Sequence, residues 1–155
     1  MSQSPHKQAE GMVDISNKDI TKRIARATCQ VKFSEAGYFK LINEGSPKGN
    51  IFETAKVAGI MAAKNTPQII PMCHPLQLSK VSVICELDAA TYSVNIFSEV
   101  IFKGQTGVEM EAMAAVTAAA LTVYDMMKWA DKGIVIADVQ LEHKSGGKSG
   151  IFNRG

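Results

Sequence analysis

The chain is poor in several residue types that mark large classes of protein. Aromatic side chains make up only 6% of its 155 residues, with a single tryptophan. A sheet surface that stacks bases, as in RNA-binding ferredoxin-like domains, needs more aromatics than this and an RNP-like Gly-Phe motif, which is absent. The cysteines are Cys29, Cys73 and Cys85, an odd count without a Cys-x-x-Cys pair. That argues against a disulfide framework and for reduced thiols in a cytoplasmic protein. No apolar run approaches the roughly 20 residues that span a bilayer. The start, Met1-Ser-Gln-Ser-Pro-His-Lys-Gln, has no signal-peptide core, so no membrane partner is expected. Excess charge is scarce too: 17 Lys and Arg against 15 Asp and Glu leave a net +2. Such a balance suits no general nucleic-acid binder, although local basic clusters could hold an anionic small molecule. Internal repeats and linkers are likewise missing.

What remains is an ordinary globular composition, 46% hydrophobic and 21% charged, at a length that buries a real core. Residues 1–11 are polar and aperiodic and are expected to form a disordered tail, with 12–155 as a single domain. Arg23 to Phe33 alternates at Ala27, Cys29, Val31 and Phe33, which predicts a half-buried strand with Arg26, Gln30 and Lys32 facing elsewhere. Glu35 to Asn43 reads as a short helix stopped at Glu44-Gly45. Asn50 is placed to cap a helix from Ile51 to Lys64 that buries Ile51, Ala55, Ala58 and Ala62 and ends at Thr66-Pro67. Ile69 to Leu76 is an apolar loop restricted by Pro71 and Pro75. Val81–Leu87 and Tyr92–Phe102 form a hairpin about Asp88–Thr91. A long helix from Val108 to Ala130 stops near Gly133, and Ile134–Leu141 is a last strand. The order β-α-α-β-β-α-β predicts an α+β, two-layer domain with helices on one face of an antiparallel sheet.

The long helix is the organising element. Gly104-Gln-Thr-Gly leads into it, Glu109 and Glu111 sit at its mouth, Asp125 and Lys128 lie on its last turns, and Ala112 to Ala120 is nearly all small. Carboxylates at a helix N-terminus have a plain explanation in capping and dipole compensation. An i,i+3 Asp–Lys pair has one in a solvated ion pair. Glu111 and Asp125 project within about 40° of each other at 100° per residue. Along the axis, 14 residues at 1.5 Å place them roughly 21 Å apart. Either the two ends serve separate sites, or a second subunit brings its helix end to the first one's. The small residues suggest that this helix packs tightly between protomers.

His74 is held between Pro71 and Pro75 beside Cys73. Metal ligation lacks ligands, since His6 is in the tail and no second Cys or His has finger spacing. A rigidly presented imidazole for hydrogen bonding or proton transfer fits better. Lys48-Gly49 and Lys144-Ser-Gly-Gly-Lys148-Ser-Gly read as anion contacts, in which glycines free backbone N–H groups and lysines add charge. The Gly-Lys-Ser is no P-loop, because Glu142 stands where the first glycine belongs and no helix follows. A flexible basic terminus is the plainer alternative. Arg23, Arg26 and Lys64, each ordinary exposed residues alone, could extend the basic surface.

Taken together, Lys48-Gly-Asn, Ala58-Gly-Ile-Met-Ala-Ala-Lys64, Ile70-Pro-Met-Cys-His-Pro-Leu76, Gly107-Val-Glu-Met-Glu-Ala112, Leu121-Thr-Val-Tyr-Asp-Met126 and Lys144-Ser-Gly-Gly-Lys-Ser-Gly150 resemble the MoaC family of molybdenum-cofactor biosynthesis. The resemblance extends from Met12 to Gly150. It implies a ferredoxin-like subunit, assembled as a homohexamer of three dimers with sites between subunits. It also implies a lyase that converts 3′,8-cyclo-7,8-dihydro-GTP to cyclic pyranopterin monophosphate and pyrophosphate. The catalytic residues it points to are Lys48, Asp125 and Lys128. Substrate contacts fall on Met72, Cys73, His74, Glu109, Met110, Glu111 and Lys144. No resident cofactor is implied, with Mg2+ at most accompanying the triphosphate. Asn50 departs from the aspartate common in the family, but caps a helix equally well. Against this stand a non-catalytic nucleotide- or pterin-binding module, which would bind triphosphate without releasing pyrophosphate, and an RNA-binding domain.

Overall fold

The computed structural model describes residues 10–155. The expected tail, residues 1–11, lies for the most part outside them, as does His6. Five strands form one antiparallel sheet in the order β2-β3-β1-β4-β5, the first four of which give the ferredoxin-like arrangement of the β-α-β-β-α-β chain order. They are β1 (Thr21–Lys32), β2 (Lys80–Asp88), β3 (Ser93–Gly104), β4 (Val135–Ser145) and β5 (Phe152–Asn153). The helices are α1 (Glu35–Asn43), α2 (Ile51–Lys64), α3 (Thr66–Ile69) and α4 (Glu109–Met127).

Alternation decides the layers. In β1, Ala25, Ala27, Cys29 and Val31 are buried, and their β3 neighbours Val94, Ile96 and Val100 are fully buried. Each such Val or Ile contributes roughly 1.5–3 kcal/mol by leaving water. Helices α2 and α4 cover this face. Two sheet side chains fasten α4 to it: Ser98 Oγ donates to Ala112 O at 2.7 Å, and Cys29 Sγ to Val116 O at 3.4 Å. Asn50 caps α2 by accepting from Glu53 N at 3.0 Å.

Four alanines of α4 are consumed inside the chain, while Ala114 and Ala118 stay partly exposed. Ala112, Ala115, Ala119 and Ala120 are wholly buried against the sheet and α2. The backbones pass so closely that a Cβ on Gly59 would stand 2.8 Å from Ala115 O. This close packing takes place within the protomer. Of the four residues expected to be buried on α2, Ala58 is only half-buried, and Gly59 takes the inward place.

Three boundaries also differ. Pro67 opens the short α3, where its fixed φ suits a first turn, so Thr66-Pro67 starts a helix as well as ending one. Helix α4 ends at Met127, leaving Lys128 as its cap. Strand β4 runs on to Ser145, with register shifts against β1 between Thr28 and Gln30 and between Arg26 and Ala27. At the second shift Glu142 is the extra residue. Ala27 faces Leu141, whereas Ala25 faces Lys144. Regular pairing beyond Leu141 would set His143 opposite Ala25 and turn Lys144 to the uncovered face. The bulge therefore puts Lys144 on the helix side. Finally, the expected C-terminal tail folds back as β5.

Candidate functional site

The mouth of α4 is uncapped by any side chain at Val108, so the dipole and free N–H groups of its first turn act on whatever lies in front. Glu111 is only 4% exposed. Burial drives its carboxyl up to about 6, against the opposing effect of a backbone N–H, and the charge of Glu109 adds to the rise. A cavity of about 290 Å³ opens beside it, lined by Val13, Lys18, Met72, Cys73, His74, Gly107, Glu109 and Met110 among others. His74 Nε2 lies 2.8 Å from Val13 O, which requires the proton on that nitrogen. The Cys73 thiol is pushed up, first by burial and then by the charges of Glu111 and Glu109. Such a thiol is a poor resting nucleophile.

A second cavity of about 440 Å³ adjoins the first through Lys18 and Gly107. Its walls include Arg23, Lys144, Lys148, Thr21 and Gly147. Cations therefore surround it on several sides. Lys144 Nζ stands 3.3 Å from Glu109 Oε1, an ion pair without hydrogen-bond geometry. That oxygen and Thr21 Oγ1 are buried without a hydrogen-bond partner among the described residues. Arg23 is not an exposed surface residue. It is 7% exposed, its Nε donates to Gly104 O and its Nη2 to Asp19 O, each at 3.2 Å. At an odd position of β1 it follows Ala25 and Ala27 onto the covered face.

The far end of α4 is built differently. The loop between α1 and α2 brings Lys48 to Asp125, Nζ to Oδ2 at 2.8 Å, while Lys128 Nζ reaches Oδ1 at 3.0 Å. All three side chains are about half exposed, at 54%, 47% and 56%. The Lys48 hydrogen bond, followed by that of Lys128, lowers the Asp125 carboxyl below its ordinary value. Nothing among the described residues covers the triad.

Two of the sequence candidates stand apart from both ends. Arg26 is on the uncovered face of the sheet, paired with Glu99 at 2.7 Å. The Glu99 carboxyl is held down by Lys80 first and Arg26 second. Lys64 ends α2 beside a cleft lined by Leu76 to Val81. In return, the structure adds Lys18 and Thr21, which sequence reasoning left out, and sets Lys148, already read as an anion contact, in the same basic cavity. The available signal was a lysine in the Asp14–Lys18 turn just ahead of β1, with Arg23 sharing the parity of the core positions. Among the described residues, no three His, Cys, Asp or Glu gather as a metal site.

Chemically, one end offers an easily protonated carboxyl, an imidazole and an adjoining basic cavity, which suits a heterocycle carrying phosphates. The other offers a carboxylate between two ammonium groups, which suits proton transfer. The sequence is similar to known proteins over almost all its length. A family model described as the MoaC family matches residues 12–147. A protein of Staphylococcus haemolyticus named cyclic pyranopterin monophosphate synthase is 51% identical, covering 99% of this chain and 100% of that protein. Proteins of the same name from Staphylococcus aureus and Staphylococcus carnosus are 49% and 48% identical, each over 99% of this chain and 98% of their own. On that extent of agreement, joined to the ferredoxin-like sheet, the chain belongs to the MoaC family.

Proposed function

We propose that the protein is a cyclic pyranopterin monophosphate synthase, the enzyme that turns 3′,8-cyclo-7,8-dihydro-GTP into cyclic pyranopterin monophosphate and pyrophosphate in molybdenum-cofactor biosynthesis. The observation that carries the reading is full-length similarity to proteins of that name at about half identity. The paired cavities at the mouth of α4 support it. In this reading Glu111 and His74 hold the base-derived rings, with Met72, Cys73 and Met110 as their apolar surround. Arg23, Lys18, Lys144 and Lys148 receive the triphosphate, where preorganised positive charge favours departure of pyrophosphate. Asp125 and Lys128 form the acid/base couple, and Lys48 shares the Asp125 carboxylate.

The reaction has no net redox change, so no flavin or nicotinamide enters the reading. Mg2+, where used, travels with the triphosphate, and turnover with excess chelator tests that point. Residues 14 positions apart on α4 stand roughly 21 Å from each other along its axis. Glu111 and Asp125 therefore act on one substrate only across a subunit boundary, as in a homohexamer of three dimers. Lys128 is more than half exposed in the protomer. To accept a proton it must first be the neutral amine, and the partial burial and added cations that favour that form would also come from that boundary. No helix of the described residues is long and apolar enough to cross a membrane. Cys29, Cys73 and Cys85 are free thiols, and we place the activity in the cytoplasm.

The deciding experiment follows pyrophosphate release from the cyclised dihydro-GTP. Turnover that yields the cyclic monophosphate supports the reading. Tight triphosphate binding without pyrophosphate would make the protein a binding module instead.

A further inference from the structure

The end of the chain does more than trail away from β4. After Ser145 it turns through Gly146 and Gly147, both at positive φ (93° and 79°), and returns along the outer edge of β4. Asn153 pairs with His143, and Phe152 with Lys144. Arg154 N donates to Glu142 O at 2.9 Å and Arg154 Nε to Leu141 O at 2.7 Å. His143 Nδ1 and Asn153 Oδ1 are 2.7 Å apart, with the ring nitrogen donating. The Arg154 guanidinium also lies 5.7 Å above the Phe152 ring. These contacts fall on residues 141–144, where Glu142 is the spare residue that turns Lys144 toward Glu109. On the other side the loop is pressed against β1. A Cβ on Gly146 would collide with Lys22 O, and one on Gly147 with the Arg23 guanidinium.

We propose that Phe152–Arg154 is a latch that positions the phosphate-binding groups. It holds the Glu142 bulge in β4, and thereby fixes Lys144 on the cavity side together with the Gly147–Ser149 wall. Unlatched, the strand has a competing register in which β4 pairs regularly with β1 and Lys144 turns away. Asn153 and Arg154 are positioning residues and touch no reacting atom. This inference rests on the function proposed above only for its substrate. The anion cavity itself is testable with a simple polyanion.

The test compares the full chain with a variant lacking residues 152–155 and with Asn153→Leu, Arg154→Ala and Asn153→Asp. Titration calorimetry reads the Kd for inorganic tripolyphosphate, and pyrophosphate release reads KM and kcat. The expected result is a rise of about tenfold in Kd and KM for the truncation, with kcat within about twofold. Asn153→Leu and Arg154→Ala should each raise both by about threefold to fivefold. Asn153→Asp, which still accepts from His143, should return them to the wild-type value. A merely structural role would lower Tm or the active fraction and leave KM and Kd alone, and that outcome overturns the latch. If the truncation does not fold, the three single variants decide. If the wild type binds tripolyphosphate but does not turn over the cyclised dihydro-GTP, the functional reading fails and the Kd series still judges the latch.

Discussion

The two ends of α4 hold charge in opposite ways. At the mouth, Glu111 is buried and its carboxyl is pushed up to about 6, so the fold keeps a proton within easy reach at the expense of stability. At the far end, Asp125 lies in the open between Lys48 and Lys128 and its carboxyl is pulled down. One end is lined by this chain's own residues, which form two adjoining cavities. The other is a set of half-exposed groups held together by ion pairs. In the proposed function, that difference separates an end organised before substrate arrives from one that a neighbouring subunit would complete.

The strongest way to break this comparison is to remove the open end. Lys128→Ala or Asp125→Asn should cut kcat by about 10³-fold or more, as loss of a proton-transfer partner or charge clamp does. Because these side chains are about half exposed in the protomer, its Tm should move by no more than about 2 °C. Near-normal pyrophosphate release from either variant would take the triad out of the chemistry.

Next in size is a complementation test. Lys128→Ala and Glu111→Gln are each expected to be inactive alone. If every site takes its mouth from one chain and its far end from another, random mixing makes half the dimers mixed, with one of two sites intact. About a quarter of wild-type activity should then return after the oligomers are dissociated and reassembled. No recovery, from mixed oligomers confirmed by mass, would return both ends to a single chain.

The buried carboxyl gives a pH signature. Glu111 titrates near 4.5 when unfolded and about 6 when folded. Between those values the native state binds more protons, so stability falls as pH rises through that window and stays lower above it. The cost of ionising it is about 2 kcal/mol. Glu111→Gln should therefore raise Tm by about 3–6 °C at pH 8 and hardly at all near pH 4, while abolishing turnover. Equal shifts at both pH values would mean that ionisation is not the cause.

Two smaller effects probe the scaffold between the ends. Gly59→Ala meets Ala115 O and the Val83 side chain at 2.8 and 2.9 Å, and should cost about 1–3 kcal/mol in urea unfolding. Asn50→Ala removes the α2 cap behind the Lys48 loop and should cost about 1 kcal/mol.

Much of this was legible in the chain. The helices at Glu35–Asn43 and Ile51–Lys64 follow from a stop at Glu44-Gly45 and a cap at Asn50, both local signals. The hairpin follows from the short turn that joins its two strands, and the covered face of β1 follows from alternation. The Asp125–Lys128 pair is an i,i+3 contact, so it too was in view. What the chain hid depends on distance along it. Lys48 meets Asp125 across 77 positions, and Lys18 reaches the cavity through a turn with no periodicity. The α4 alanines look alike whether they face a sheet or another subunit. Arg23 looked like a surface residue because charge outweighed parity in the reading. Strand β5, two residues long, is too short for alternation to register.

The Glu142 bulge also has a meaning for chain length. A strand that contains one residue more than its partner needs carries slack. Shortening the chain by one anywhere between Leu141 and Lys144 lets β4 run straight and still leaves the ammonium opposite Ala25. Shortening it by one between Lys144 and Gly147 has no such reserve to draw on, and drags the loop off the Arg23 guanidinium. Beside this site, then, tolerance to a lost residue is set by where the spare one is stored, and a straightened strand would have less need of its latch.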